Sequence, residues 1–265
     1  MNQDQIEKAL ADLPLGEIYY YPRVDSTNLQ ASRMNLSNLP DFSVIVADEQ
    51  TAGRGRRGRT WVTRPGTSLA LSVVIHPQLP PGDVSQHPGR YSGLGALAMT
   101  AAVNQLQGLS ARVKWPNDIL LAGRKVGGVL VDLNWQGKRL KEVILGVGLN
   151  VKKGAIPEKV EFRFPPGTVE EAAGAPVERL PLMAAFLEQL LAFHQKLPGK
   201  AFIRSWERSL AYQGQMVSLS VDDRQIASGI QQGLDDDGSL LLKTASGEVR
   251  VFQMGEIRLR PVDRL

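Results

Sequence analysis

At Gly214 the chain changes texture, and that change sets its architecture. Downstream, residues 215–263 are short apolar stretches broken by turns. Met216-Val217-Ser218-Leu219, Ile226-Ala227, Ser239-Leu240-Leu241-Leu242, Val249-Arg250-Val251 and Ile257-Arg258-Leu259 each read as a short strand. Asp236-Asp237-Gly238 and Ser246-Gly247 supply the residues that hairpin turns demand. Together they predict a small β-barrel of about fifty residues. Upstream, helical and strand periods are mixed. The chain therefore divides into residues 1–213 and 214–265. Its 265 residues suit one large domain with a small appendage.

Within the larger part, Ile6, Ala9 and Leu10 share one face of a helix over residues 2–12. Ile18-Tyr19-Tyr20-Tyr21 predicts a strand stopped by Pro22, and Asp25 or Ser26 caps a helix over 27–35. Residues 43–47 and 68–76 are buried-type strands, and 91–107 is a long packed helix. Val113-Lys114-Trp115 is a short strand ended by Pro116. Residues 126–133 and 142–149 are strands joined by the polar turn Trp135-Gln136-Gly137-Lys138. Pro-rich residues 152–180 form an irregular connection to which no role is assigned. Helices follow over 181–197, where Leu182, Phe186, Leu190 and Phe193 form a core stripe, and over 201–210.

The composition removes several chemistries. With no cysteine, a thiol nucleophile, a thiolate metal site and a disulfide are all excluded. The three histidines, His76, His87 and His194, are far apart and form no ligand pair. No apolar N-terminal leader and no run of ~18 apolar residues is present, which points to the cytoplasm and away from a membrane.

The net charge of +4 is modest but concentrated. Arg54, Arg56, Arg57 and Arg59 lie within Gly53-Arg54-Gly55-Arg56-Arg57-Gly58-Arg59-Thr60-Trp61. The glycine spacing alone matches a dinucleotide fingerprint, but no helix start follows it and no Lys-Ser/Thr ending makes it a phosphate-binding P-loop. The arginines are more informative. Guanidinium groups clamp phosphate or carboxylate oxygens in pairs and stay charged at any cellular pH. Glycines let the backbone approach a ligand. A solvated basic turn or a nucleic-acid contact is the competing reading of this segment.

Two lysine segments point the same way. In Lys114-Trp115-Pro116-Asn117-Asp118 a carboxylate beside an amide suits Mg²⁺ on a nucleotide phosphate, although on chemistry alone an Asn-Asp turn with a lysine on an edge strand is the better reading. In Arg124-Lys125-Val126-Gly127-Gly128 a lysine heads a strand beside a wall without side chains. The common denominator is an activated carboxylate. Such chemistry needs positioning, and positive charge where negative charge develops, rather than a protein nucleophile.

These blocks, with Asp25-Ser26-Thr27-Asn28, Glu49-Gln50-Thr51-Ala52 before the arginine segment, and Gly146-Val147-Gly148-Leu149-Asn150, span residues 25–150. Their order and content resemble the biotin–protein ligases, also called biotin–[acetyl-CoA-carboxylase] ligases. The resemblance implies an α+β catalytic domain with a mixed sheet and packed helices, of the class II aminoacyl-tRNA synthetase type, and an SH3-like barrel. It implies that biotin and ATP form biotinoyl-5′-AMP, and that biotin then passes to a lysine of a biotin carboxyl carrier protein.

By the same resemblance, Ser26, Thr27, Asn28 and Gln50 line the biotin pocket, with Gly53, Arg54, Gly55, Arg56, Lys125 and Gly127 beside them. Arg54, Arg56, Arg59, Trp61, Lys114, Asn117 and Asn150 bind ATP. Lys125, Arg56 and Lys114 carry catalysis, and Asp118 takes the Mg²⁺. Some members carry an N-terminal helix-turn-helix domain and repress genes. Here the first block begins at residue 25, so a ligase without DNA binding is expected, and a homodimer is left open. Two rivals remain: a lipoate–protein ligase using a different acid, and a nucleic-acid-binding module.

Overall fold

The computed structural model describes residues 1–77, 88–157, 162, 164–221, 224–254 and 258–262. His87 and Ile257 lie outside the described residues.

A seven-stranded sheet forms the base of the larger part. Its strands are β1 (Ile18–Val24), β2 (Ser43–Gln50), β5 (Ser68–Ile75), β6 (Arg112–Lys114), β7 (Asp118–Leu121), β8 (Arg124–Gln136) and β9 (Arg139–Asn150). They run in the order β1-β2-β5-β9-β8-β7-β6. Only β1 and β2 pair in parallel, so the sheet is mixed. Every residue of β5 is buried, which explains its nearly unbroken apolar run. β1 continues through Pro22 to Val24 instead of stopping there. It is an edge strand with one partner, so the missing N–H at Pro22 breaks no ladder.

Helices cover both faces. α2 (Thr27–Arg33) packs Ala31 against Ile45, Val74 and Ile144 on one side. On the other, α1 (Gln3–Leu10), α3 (Pro88–Val103), α5 (Arg179–His194) and α6 (Lys200–Ser209) bury the main core. α1 begins with a capping box in which Asn2 and Gln5 satisfy each other's backbone N–H groups. The irregular connection over 152–180 holds one short helix, α4 (Val169–Ala173), capped by Thr168 and Glu171.

After Gly214 come β10 (Met216–Val221), β11 (Arg224–Leu234), β12 (Leu240–Lys243), β13 (Val249–Phe252) and β14 (Arg258–Pro261). They pair in the order β13-β12-β11-β10-β14. Among the described residues β13 and β14 do not pair, so the sheet is open and barrel closure is not seen. Its inner residues Val217, Leu219, Leu240, Leu242 and Leu259 join the main core. Trp206 of α6 is fully buried at that junction, seated between Gly93 and Gly238, where any Cβ would strike its ring. Trp115 adds a hydrogen bond from its indole N–H to the Gly238 carbonyl at 3.0 Å. The C-terminal sheet is thereby fastened beside β6 and β7.

Candidate active site

A cleft of about 770 Å³ opens where the ends of β2, β7, β8 and β9 meet the arginine segment. That size suits a small organic ligand. Its floor at one end is neutral and polar. The Thr27 amide and hydroxyl both donate to Gln50 Oε1, at 2.8 and 3.2 Å. Ser72 Oγ lies 2.8 Å from Thr27 Oγ1 and 2.6 Å from Asn28 Oδ1. Asn28 Nδ2 donates to Asp132 Oδ2 at 3.0 Å. Thr27, Asn28, Gln50 and Ser72 are all buried. In so dry a setting a continuous chain of donors and acceptors holds each amide in one orientation. Ser26 occupies the N-cap position of α2, but its hydroxyl makes no cap bond, and the residue lines the cleft instead.

The other end is cationic. Gly53–Arg54 and Thr60–Trp61 pair as a two-stranded ribbon, β3 and β4, carrying the arginine segment. Its turn places Arg57 at φ 63° and Gly58 at φ 66°. A non-glycine residue held there is strained, a condition common at ligand clamps. Arg56 donates to Asn117 Oδ1 at 3.1 Å, and Asn117 is pinned by Nδ2 to the Val129 carbonyl at 2.6 Å. Burial lowers the Arg56 pKa, and Arg57 and Arg59 add to that, against the opposing pull of Asp118. Both terminal nitrogens of Arg57 are buried without a hydrogen-bond partner. Buried donors of this kind are complete only when an acceptor arrives.

Asp118 sits between two lysines. Lys114 Nζ lies 2.8 Å from its Oδ2, and Lys125 Nζ holds its Oδ1. Burial alone would raise the Asp118 pKa, but the two ammoniums outweigh it and hold the carboxyl well below the usual range. Burial depresses the Lys114 pKa, opposed by Asp118 and reinforced by Lys125 and Arg260. The Lys114 ammonium also lies 4.9 Å from the centre of the Phe164 ring. Among the described residues, seven cationic side chains line the cleft: Arg54, Arg56, Arg57, Arg59, Lys114, Lys125 and Arg260. Asp118 is the one carboxylate among those described lining residues, so these side chains sum to +6.

The comparisons place this arrangement. Residues 20–150 match the Biotin/lipoate A/B protein ligase family, and residues 212–260 match the Biotin protein ligase C terminal domain. The biotin–[acetyl-CoA-carboxylase] ligase of Paracoccus denitrificans is 32% identical over 231 residues, covering 85% of this chain and 93% of the relative. The bifunctional ligase/repressor of Escherichia coli is 31% identical over 273 residues, covering 100% of this chain and 79% of the relative. This chain belongs to the biotin–protein ligase family. A solved biotin protein ligase from Aquifex aeolicus, in complex with biotin and ATP, superposes with a TM-score of 0.78 at 27% identity. The match covers 93% of this chain and 99% of that one.

Most of the residues singled out in the ligase sequence converge on one cleft. Ser26, Thr27, Asn28, Gln50, Arg54, Gly55, Arg56, Arg59, Trp61, Lys114, Asn117, Asp118, Lys125 and Asn150 all line it. Gly53 and Gly127 do not. A Cβ on Gly53 would strike the Trp61 carbonyl, and one on Gly127 would lie 2.8 Å from the Gly148 carbonyl. Both are glycine for backbone packing, and Gly128 reaches the cleft instead. Gly146 and Gly148 seat the Asn28 amide and the Trp61 indole, where a Cβ would collide.

The Mg²⁺ expected at Asp118 meets an unsuitable donor set. Both oxygens of that carboxylate are taken by ammonium groups, and the described residues hold no cluster of three or more His, Asp or Glu side chains. Mg²⁺ takes most of its donors from water and substrate phosphates and needs one or two free carboxylate oxygens from the protein. Asp118 offers none while both lysines hold it, so no step below passes through a metal cation.

Sequence reasoning missed Ser72, Asp132, Phe164 and Arg260. Ser72 had a signal, being a lone hydroxyl inside the apolar run Leu69–Ile75. A polar atom buried there needs partners. Phe164 and Arg260 come from the irregular connection and the C-terminal sheet, whose proximity to the cleft is purely tertiary.

Proposed function

We propose that this ligase activates biotin with ATP and transfers it to a lysine of a biotin carboxyl carrier domain. The observation that carries this is the division of the cleft. A buried chain of neutral hydrogen-bonding groups adjoins a cluster of lining cations with a single carboxylate. The first suits an uncharged ring bearing donors and acceptors; the second suits a carboxylate beside a polyphosphate.

In the first step a biotin carboxylate oxygen attacks the α-phosphorus of ATP. The bond to pyrophosphate breaks, leaving biotinoyl-5′-AMP. In the second step the neutral amine of the acceptor lysine attacks the acyl carbon, AMP leaves, and the amine nitrogen loses a proton. Ser26, Thr27, Asn28 and Gln50 hold the ring. Arg54, Arg56 and Lys125 hold the carboxylate and acyl phosphate, while Arg59, Trp61, Lys114, Asn117 and Asn150 hold the nucleotide. Asp118 fixes the two lysine ammoniums against each other's repulsion. Positive charge fixed in place before the reaction stabilises the developing phosphorane-like charge without reorganisation.

The same reading divides the chain at residues 213/214 and takes the C-terminal sheet as an SH3-like barrel. The register shifts in β10 and β11 support that, because bulges bend strands toward closure. It places the ligase in the cytoplasm, and no helix among the described residues is long and apolar enough to cross a membrane. It assigns no nucleic-acid ligand, since the crowded arginines face the cleft. A gel-shift assay on duplex DNA at physiological salt is expected to show no complex.

Biotin-dependent exchange between ATP and labelled pyrophosphate tests the reading, with biotinoyl-AMP detected by mass spectrometry. Exchange supported by lipoate and not by biotin would overturn it.

A further inference from the structure

Six of the nine exposed large apolar side chains among the described residues lie on or beside the C-terminal sheet. The strand register shows that they are not scattered. Val262, whose N–H bonds to the Met216 carbonyl, is followed across the sheet by Met216, Ile230, Lys243 and Val249, each opposite the next. Apart from Lys243 this is a row of apolar groups, each between 36% and 52% exposed. Val251, 55% exposed, widens the row on the same face. Alternate residues Val217, Gln231 and Leu242 point to the opposite face and are buried. The outer face therefore has no fold-level reason to be apolar. Exposed patches of this kind mark interaction sites.

The face is also continuous with the cleft. Arg260 on the edge strand β14 stands opposite Ser218, on the same side as Met216. Arg260 lies 5.5 Å from the centre of the Phe164 ring, and both line the cleft. With strands about 4.8 Å apart, the five-stranded face runs roughly 19 Å outward from that rim. Among the described residues, the charged positions that the register places on this face are Lys243, Arg258 and Arg260, all cationic.

We propose that this outer face docks the protein that brings the acceptor lysine, through an apolar surface rimmed by carboxylates. The inference rests on the activation-and-transfer reading above, which requires a macromolecule to place an amine in the cleft. A second copy fits the face poorly. Two-fold pairing would set one cationic face against another, with no carboxylate on that face among the described residues to offset the charge.

The test uses the full-length ligase carrying Val249→Glu and Val251→Glu, with a biotin carboxyl carrier domain of an acetyl-CoA carboxylase as acceptor. Both positions are exposed, and an unchanged melting temperature confirms the fold. The acceptor KM is expected to rise at least roughly tenfold. Biotin-dependent pyrophosphate exchange and acyl transfer to hydroxylamine are expected to stay within about twofold, because neither needs a docked protein. Lys243→Glu is expected to raise the acceptor KM and flatten its salt dependence. An unchanged acceptor KM in both variants overturns the proposal. So does a wild-type dimer, seen by sedimentation, that the double substitution dissociates without altering acceptor KM. Failure of the wild-type ligase to exchange pyrophosphate with biotin would instead overturn the activation reading.

Discussion

Replacing Asp118 with Asn isolates the charge arrangement at the centre of the cleft. The substitution keeps the shape and removes the one anion between Lys114 and Lys125. The Lys114 side chain is 8% exposed, so water cannot take over the lost pairing. Breaking a buried pair by removing one partner costs about 3–5 kcal/mol. The lysine limits that cost by giving up its proton. For an ordinary lysine pKa of about 10.4, deprotonation at pH 7 costs about 4.6 kcal/mol, which caps the penalty from Lys114. The expected loss at pH 7, from urea unfolding followed by circular dichroism, is therefore about 3–4 kcal/mol. The pH dependence gives a second handle. In the variant the folded Lys114 pKa is depressed further below its unfolded value, so the deficit shrinks as pH rises toward the unfolded pKa of about 10.4 and vanishes only above it, where both states are neutral. The wild-type contribution of Asp118 has the opposite dependence. Its folded pKa is lowered, so that stability is present above about 3.9 and is lost as pH falls toward the folded value. A loss below about 1 kcal/mol at pH 7, or one that does not shrink between pH 7 and 10, refutes the reasoning.

Ser72→Ala leaves Asn28 Oδ1 and Thr27 Oγ1 short of a partner, so biotin KM is expected to rise roughly tenfold while ATP KM is unchanged. Equal changes in both would show that Ser72 merely supports the fold. Arg56→Gly removes the contact to Asn117 and one clamp on the intermediate. Free biotinoyl-AMP is expected to appear in solution, retention of the intermediate falling by more than biotin affinity measured by calorimetry; intermediate retained as in the wild type would count against the role. Trp206→Ala empties the junction between α3, α6 and the C-terminal sheet, and is expected to cost about 3–5 kcal/mol by urea unfolding.

The site was legible where chemistry is local. Lys114, Asn117 and Asp118 are near neighbours in sequence, and the arginines share one short ribbon, so residue type and spacing exposed them. The strands were legible for the same reason, as runs such as Ser43–Ala47 carry their own burial. What the sequence hid depends on distant packing. Pro22 looks like a strand terminator until β1 proves to be an edge strand. Gly146 and Gly148 stand in the sequence only as part of a matching block; their packing role shows once Asn28 and Trp61 are found resting on them. Arg260 is one of several arginines near the C-terminus, and nothing local distinguishes it from a solvated charge. Asp118 was legible as a functional carboxylate but not as the counter-ion of two lysines, because Lys125 reaches it from the neighbouring strand of the sheet.

Asp132 links the two halves of the cleft. Its Oδ2 accepts from Asn28, which belongs to the neutral chain, and its Oδ1 lies 3.5 Å from Arg54 of the arginine segment. The Arg54 pair is half exposed and long, so it contributes little on its own. The Asn28 contact sits in a buried chain and contributes more. A ligand carboxylate entering beside Arg54 therefore competes against the weaker of the two bonds. Arg54 can turn to the ligand while Asp132 keeps Asn28 oriented. By this inequality, Arg54 would leave Asp132 for an incoming anion before Asn28 did, so the Asn28 amide would keep its orientation.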